Sequence, residues 1–287
     1  HSNNVPFVAT YHGVYNARNG LKRWYNAVMT RGDLVIANSD YTRGHVLAEH
    51  GIDPARIVSI PRGVDLERFN PSWVGAERVQ ALREAWGLDP KDRRVKLLLA
   101  GRLTRIKGHL MIVEAARLMK AQGREDFLII FAGDDQGRTG YREEVEGAIA
   151  AAGLSGEIRL VGHCDDMPAA YQICDIAMLP TTKPESFGRT AVEPQVMGKP
   201  VLASDHGGTT ETVLHGETGW LVKVDDAEAW ASAMTKAIEM GPARLAAMGQ
   251  AAANRARRLY SVDAMCEATL DAYAQVLAAR SSGSARS

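Results

Sequence analysis

"PESFGRTAVEPQVMGKP", residues 184–200, lies between two short apolar runs, 176–179 and 201–203. It sets two glutamates, Glu185 and Glu193, and an arginine, Arg189, where the chain passes from a buried strand into a helix. Pro180 closes the strand, and the helix is expected to begin near Phe187 or Gly188. Eight residues at about 100° each bring Glu193 to within about 80° of Glu185, so both acids are expected on one side of that helix. An acid at a helix N-terminus is stabilising by itself, so the plain reading of Glu185 is a capping charge. Glu193 has Ala191, Val192, Val196 and Met197 around it, and a half-buried carboxylate needs a partner. A hydroxyl-rich ligand such as a ribose would supply one. Pro194 removes a helix N–H and is expected to kink or loosen the turn beside Glu193.

The same pattern of apolar run and amphipathic stretch fills the rest of the chain. Apolar runs fall at 7–11, 34–37, 57–60, 95–100, 127–132, 158–161, 176–179, 201–203 and 219–222, with helical periodicity between most of them, as at 110–122 and 142–152. Fully apolar strands alternating with helices predict an α/β fold whose parallel sheets are covered on both faces. The interval 62–94 has no strand run and reads as a linker with one helix joining two α/β units. The first unit shows three strands and reads as incomplete; the second shows six. From 227 to 279 the chain is Ala-rich and helical in spacing, and the small polar tail "RSSGSARS", 280–287, has the composition of a disordered end. The opening "HSNNVPFVATYHG" has no Met and no signal-peptide pattern and enters a strand almost at once, which reads as a chain lacking an N-terminal portion.

The 287 residues are 46% hydrophobic and 24% charged, the proportions of a soluble globular protein. Lys+Arg and Asp+Glu both number 34, so no net field draws the chain to nucleic acid. Three scattered cysteines, Cys164, Cys174 and Cys266, form neither a disulfide framework nor a zinc pattern, which fits a reducing cytosol. No apolar run approaches the ~18 residues of a membrane span.

Ligands of open parallel sheets bind at the carboxyl ends of the strands. After 95–100 comes "GRLTRIKGH", in which Arg102 and Lys107 bracket a helix start; two cations there make an anion site, or else two solvated surface charges. "GDDQG" from Gly133 and "GHCDDMP" with His163 follow the next strands, as base-binding loops or as ordinary turns in which Asp165 or Asp166 caps a helix. In "SDHGGTTETV", Thr209 is expected to cap the next helix and Glu211 to fall in its first turn. The sequence has no G-x-G, no P-loop, no H-E-x-x-H and no G-x-S-x-G, which weighs against a nicotinamide dehydrogenase, a P-loop nucleotidase, a zincin and an α/β-hydrolase.

"ATYHG", "VIANSDYTRGHV", "IPRGVDLERFNP", "AGRLTRIKG" and "PESFGRTAVEPQVMGKPVLASDHGGTTETVLHGETGWLV", in this order over about residues 5–240, closely resemble the family 4 retaining glycosyltransferases of the GT-B fold. Within that family the likeness is greatest to the bacterial branch that builds lipopolysaccharide cores and other cell-envelope glycans. The resemblance implies an α/β GT-B fold of two Rossmann-like domains, the C-terminal one complete here and the N-terminal one partial. Residues 1–70 would be the end of the acceptor-side domain and 71–94 the linker and helix. Residues 95–255 would be the donor domain, and 256–287 a helix crossing back, followed by the tail.

It also implies a cytoplasmic hexosyltransferase that takes a sugar from a UDP-, GDP- or ADP-sugar, with no obligatory metal or other cofactor. Arg102 and Lys107 would hold the donor diphosphate, Glu185 would contact the transferred sugar and Glu193 the ribose. Backbone groups of Gly188, Arg189 and Thr190 would face the phosphates, Gly133 and His163 would lie near the base, and His12 would lie near the sugar from the other side. Two departures stand out: Pro194 where alanine is commoner, and Arg62 where asparagine is frequent, a cation suited to an anionic acceptor or a surface charge. A nucleotide-sugar epimerase on the same scaffold and a non-catalytic donor-binding fragment are the alternatives.

"ARNGLKRWYNAVMTRG", 17–32, sets Leu21, Trp24, Tyr25, Val28 and Met29 on one helical face with Arg18, Lys22, Arg23 and Arg31 around it. Such a stripe is ordinarily core packing. The other reading is a peripheral contact with the anionic inner face of the plasma membrane, beside a glycan or glycolipid acceptor.

Overall fold

The computed structural model describes residues 5–15, 19–137 and 139–284, with side chains to 281. All nine apolar runs are strands: β1 (Val8–Tyr11), β2 (Leu34–Ala37), β3 (Ile57–Ser59), β4 (Val95–Ala100), β5 (Phe127–Ala132), β6 (Ile158–Gly162), β7 (Ile176–Leu179), β8 (Val201–Ser204) and β9 (Gly219–Val222). They form two wholly parallel sheets, one in the order β1-β2-β3 and one in the order β6-β5-β4-β7-β8-β9. The helices are α1 (Gly20–Asn26), α2 (Asp40–His50), α3 (Ala76–Ala85), α4 (His109–Ala121), α5 (Thr139–Ala151), α6 (Met167–Ile173), α7 (Arg189–Val196), α8 (Thr209–Thr212), α9 (Ala227–Glu239), α10 (Gly241–Leu259) and α11 (Val262–Ser284).

Period-two alternation sends the large sheet's side chains to two faces, and both are buried. Leu97, Leu99, Phe127, Ile129 and Phe131 meet Ile112, Val145 and Trp230 of α4, α5 and α9. Leu98, Leu128 and Ile130 meet Tyr171, Val192 and Ala256 of α6, α7 and α10. The small sheet is also covered twice: Tyr11, Val35 and Ala37 pack on Val46 of α2, and Leu34, Ile36 and Ile60 on Ala272 of α11. Helix α11 therefore returns from the large unit to the small one, and Arg280 reaches Asp33 at 2.7 Å. Where the chain crosses back, Val64 pairs with Ser261 in a short parallel bridge.

Two expectations change here. Helix α11 runs on through Ser284, so residues 280–284 of the expected disordered tail are helical, and residues 285–287 lie outside the described set. The stripe on 17–32 is not core packing. Trp24 and Tyr25 are 60% and 71% exposed and Leu21 is 77% exposed, because no described element packs over that face of α1. Met29 alone of the five packs inward, against the core of β1, β2 and α2; Arg18 lies outside the described residues.

Candidate active site

In the large sheet the strand order reverses at β4: β5 lies on one side of it and β7 on the other. The carboxyl ends of the strands at such a reversal are where an open parallel sheet takes a ligand. The loops leaving β4 and β7 carry Arg102, Lys107 and Glu185.

Two glycines shape this end of the sheet. A Cβ on Gly133 would lie 1.9 Å from the Gly101 carbonyl oxygen, so only glycine lets the loop after β5 lie against the loop after β4. Gly108 has a φ of +76°, and a Cβ there would meet the Pro180 carbonyl at 2.0 Å, which presses the turn of Lys107 against the end of β7. Thr182 N donates to Ile106 O at 2.9 Å across the same seam.

The result is a cavity of about 300 Å³ lined by Gly101, Arg102, Gly133, Asp134, Gln136, His163, Cys164, Met167, Tyr171, Thr190 and Glu193. It brings together six residues singled out from sequence: Arg102, Gly133, His163, Thr190 and Glu193 line it, and Gly188 caps the helix that carries the last two. Arg102 is exposed, and its Nη1 donates to Gln136 Oε1 at 3.3 Å. His163 is exposed beside Asp165, with Nε2 2.9 Å from Oδ1.

Glu193 forms the deep corner. It is 8% exposed, takes a hydrogen bond from Arg189 Nη2 on Oε1 at 2.9 Å and one from the Tyr171 hydroxyl on Oε2 at 3.4 Å. Burial pushes its carboxyl above the ordinary glutamate value, and Arg189 and Tyr171 offset part of that rise. Arg189 points its guanidinium at Glu193. The helix runs unbroken through Pro194 from Arg189 to Val196, so the expected loosening does not displace Glu193.

Lys107 and Glu185 do not line the cavity; they make a second corner of the region, beside it. Lys107 Nζ lies 2.6 Å from Glu185 Oε1, with 14% and 27% of the two side chains exposed. The stem of Lys107 runs past Gly101, which lines the cavity. The helical-wheel placement of the two acids does not hold: Glu185 precedes the N-cap Gly188 and forms a two-stranded bridge with Gly207 instead of sitting on the helix. A bridge between two loop residues has no periodicity to announce it.

His12 is exposed at the end of β1, and its carbonyl accepts from Asn38 Nδ2 at 2.9 Å. Its loop abuts the large unit through Val14 N, which donates to Ser186 Oγ at 3.3 Å. Arg62 is exposed. Asp166 is a helix cap, accepting from Ala169 N at 3.1 Å, and also holds the Arg78 guanidinium at 2.7 Å. Thr209 caps nothing; its hydroxyl donates to the carbonyls of Ser204 and His206.

Three further residues went unread in the sequence. Tyr171 is fully buried against Glu193, and only the apolar run after "GHCDDMP" hinted that this helix faces inward. Gln136 holds Arg102. His109 opens α4 two residues after Lys107 and is fully buried edge-on to Phe131 and Tyr141. Burial brings its pKa from 6.5 down to about 4. Among the described residues, no group of three or more His, Cys, Asp or Glu side chains is arranged to hold a metal ion, and no helix is long and apolar enough to cross a membrane.

Two parallel-sheet units with a ligand crevice at the strand-order reversal define a GT-B type α/β protein. The chain belongs to the group 1 glycosyl transferases, whose family model matches residues 81–255; a Glycosyltransferase Family 4 model matches residues 1–68. A D-inositol 3-phosphate glycosyltransferase 2 of Catenulispora acidiphila is 33% identical over 255 residues, covering 86% of this chain and 57% of that protein. A D-inositol 3-phosphate glycosyltransferase of Pseudarthrobacter chlorophenolicus is 32% identical over 226 residues, covering 78% of this chain and 51% of that protein. The chain thus spans little more than half the length of these curated relatives. The crystal structure of a glycosyltransferase from Rickettsia africae superposes with a TM-score of 0.87 at 32% identity, covering 96% of this chain and 72% of that one. Anabaena HepE in complex with UDP shares the fold at a TM-score of 0.84 and 23% identity, covering 94% of this chain and 72% of that one.

Proposed function

We propose that the protein transfers a hexose from a nucleotide-sugar to a hydroxyl acceptor with retention at the anomeric carbon. The observation that carries the reading is the pairing of Lys107 with Glu185 at 2.6 Å beside a cavity that ends on the buried Glu193 carboxylate. A cation sits where a diphosphate would leave, and a carboxylate stands at each end to grip hydroxyls. Arg102 and Lys107 stabilise the charge growing on the leaving diphosphate, electrostatic catalysis aimed at where charge develops. Backbone N–H groups from Gly188 to Thr190 add the N-terminus of α7 to that field. Glu185 takes sugar hydroxyls, Glu193 the ribose, Gly133 and His163 flank the base, and His12 approaches the sugar from the small unit. The bond from the anomeric carbon to the phosphate oxygen breaks. The acceptor oxygen bonds on the same face, and the departing phosphate oxygen takes the acceptor's proton, so neither a protein nucleophile nor an obligatory metal is required.

On this reading residues 1–70 form the acceptor side, 71–94 the linker, 95–255 the donor unit and 256–287 the returning segment. The acceptor is a polyol or glycan. A cell-envelope or lipopolysaccharide glycan was expected from the sequence, and the curated relatives are named for D-inositol 3-phosphate. The exposed Arg62 suits an acceptor that carries an anion. The enzyme works in the cytoplasm and touches the inner membrane surface through Leu21, Trp24 and Tyr25, which are exposed beside Lys22 and Arg23. Equal partitioning of wild type and a Lys22→Glu/Arg23→Glu variant onto anionic vesicles would remove the membrane contact.

The transferase reading is tested with the full-length protein. A thermal-shift screen against UDP-, GDP- and ADP-sugars is expected to show one stabilising donor, and that donor to be consumed only when an acceptor is added. Product from donor alone would make the protein an epimerase, and donor binding without turnover would make it a non-catalytic binder.

A further inference from the structure

Glu211 lies in α8, within "GGTTETV", and its carboxylate does not line the donor cavity. It reaches across to the small unit instead. Oε2 accepts from Asp40 N at 2.9 Å and Oε1 from Tyr41 N at 2.5 Å. Those are first-turn amides of α2. The next, Thr42 N, is taken by the helix's own cap, Ser39 Oγ, at 3.0 Å. A helix start has orphan N–H groups and a positive dipole end, so a carboxylate that accepts two of them at once is a strong cap. Here the cap comes from the opposite side of the cleft.

The same end of α2 also grips the loop that carries Glu185. Ser39 Oγ, fully buried, donates to Ser186 O, and Thr42 Oγ1 donates to that carbonyl at 3.3 Å. Glu185 O in turn accepts from Gly208 N at 2.7 Å, which ties this loop to the start of α8. The loop holding Glu185 and the helix holding Glu211 therefore dock together on one helix end of the other unit.

We propose that Glu211 is a positioning residue for transfer. By capping α2 from the donor side it fixes Ser186 against the small unit, and so sets Glu185 and Lys107 in register with the His12 side of the cleft. The inference rests on the transferase reading for its kinetic consequence only; the cap itself is measurable without turnover. The Glu211 backbone carbonyl accepts from Arg255 Nη2 at 2.8 Å and from Tyr260 OH at 3.0 Å, contacts that a side-chain change leaves in place.

The test compares Glu211→Ala and Glu211→Gln with wild type in the full-length protein, first by amide hydrogen exchange resolved at Asp40 and Tyr41. Exchange there is expected to rise about 10-fold or more in Glu211→Ala, and less in Glu211→Gln, whose carbonyl still accepts one bond. Binding of the nucleoside diphosphate that stabilises wild type (UDP, GDP or ADP) is expected to stay within about 2-fold, while kcat falls about 10-fold and is partly rescued by Gln. Unchanged exchange at both amides in a folded Glu211→Ala protein overturns the cap. Faster exchange with unchanged kcat overturns the positioning role, as does a loss of nucleotide affinity that matches the loss of kcat. If no nucleotide binds wild type, the transferase reading falls, and the exchange result still decides the cap.

Discussion

Glu185 and Glu193 belong to one motif but occupy opposite electrostatic settings. Glu185 meets a full positive charge, Lys107, at 2.6 Å in a corner that water still reaches. Glu193 lies deeper, between a neutral Tyr171 hydroxyl and the 53% exposed Arg189, and burial raises its pKa. The first corner is a charge pair that a developing phosphate anion can enter as a competitor for Lys107. The second is a desolvated acceptor awaiting donors, the condition in which hydrogen bonds from ligand hydroxyls gain most. Paired carboxylates first suggest an acid and a base; the difference in setting supports the proposed reading, in which they hold two ends of one ligand.

The largest effect expected is at the Lys107 corner. Lys107→Ala should lower kcat by about 100- to 1,000-fold, the usual consequence of losing one contact to developing negative charge. A double-mutant cycle with Glu185→Gln should be strongly non-additive, because the two side chains share one contact. Near-normal turnover in Lys107→Ala would dissolve the distinction between the corners.

Glu193→Gln should weaken donor binding by about 10-fold or more, since bonds to a charged acceptor are replaced by bonds to a neutral amide. The same change should raise Tm at neutral pH. A carboxyl whose folded pKa lies above its unfolded value binds more protons when folded, so it favours the fold at low pH and loses that contribution as pH rises through the folded pKa. Gln removes the loss, and the Tm gain should shrink as pH falls toward the ordinary glutamate value. Unchanged donor affinity, titrated by calorimetry, would reduce Glu193 to a structural acid.

The Lys107 corner should carry the opposite pH signature through His109. Its folded pKa of about 4 lies below the ordinary 6.5 because burial disfavours the imidazolium. The unfolded chain then binds the extra proton between those values, so stability present above pH 6.5 is lost as pH falls toward 4. His109→Leu should flatten the Tm profile across that window; an unchanged acid limb would assign the loss to other groups.

Much of this was legible because period and burial coincide. Every strand of both sheets is a nearly unbroken apolar run, and a parallel sheet buried on two faces leaves no other pattern open to it. The strand-end rule drew notice to Arg102 and to the loops of Gly133 and His163, and the family resemblance to Thr190; the structure sets all four around one cavity. The misses have local causes. The Glu185–Gly207 bridge and the reach of Glu211 to α2 are tertiary contacts without sequence period. Tyr171 carries no sequence mark of the hydrogen bond its hydroxyl gives Glu193. The stripe of Leu21, Trp24 and Tyr25 has helical spacing, yet spacing alone does not say whether a covering element is present.

The smallest effect expected separates the two roles of Arg189. Its pair with Glu193 is an i,i+4 contact from a half-exposed guanidinium to a carboxylate only 10% exposed, so Arg189→Ala should lower Tm modestly at neutral pH, and the loss should fade as Glu193 takes its proton in acid. Arg189 also holds the Glu193 pKa down against burial. Without it the carboxyl should take its proton at higher pH, and donor affinity should begin to fail at a higher pH than in wild type as acid is added. Affinity for the stabilising nucleotide-sugar, followed over a pH series, measures that midpoint. An upward shift in Arg189→Ala, with the Tm loss confined to pH above the midpoint, would show that the arginine of 184–200 serves to keep the deep carboxylate charged. The same midpoint in both proteins would leave Tyr171 as the partner that governs Glu193.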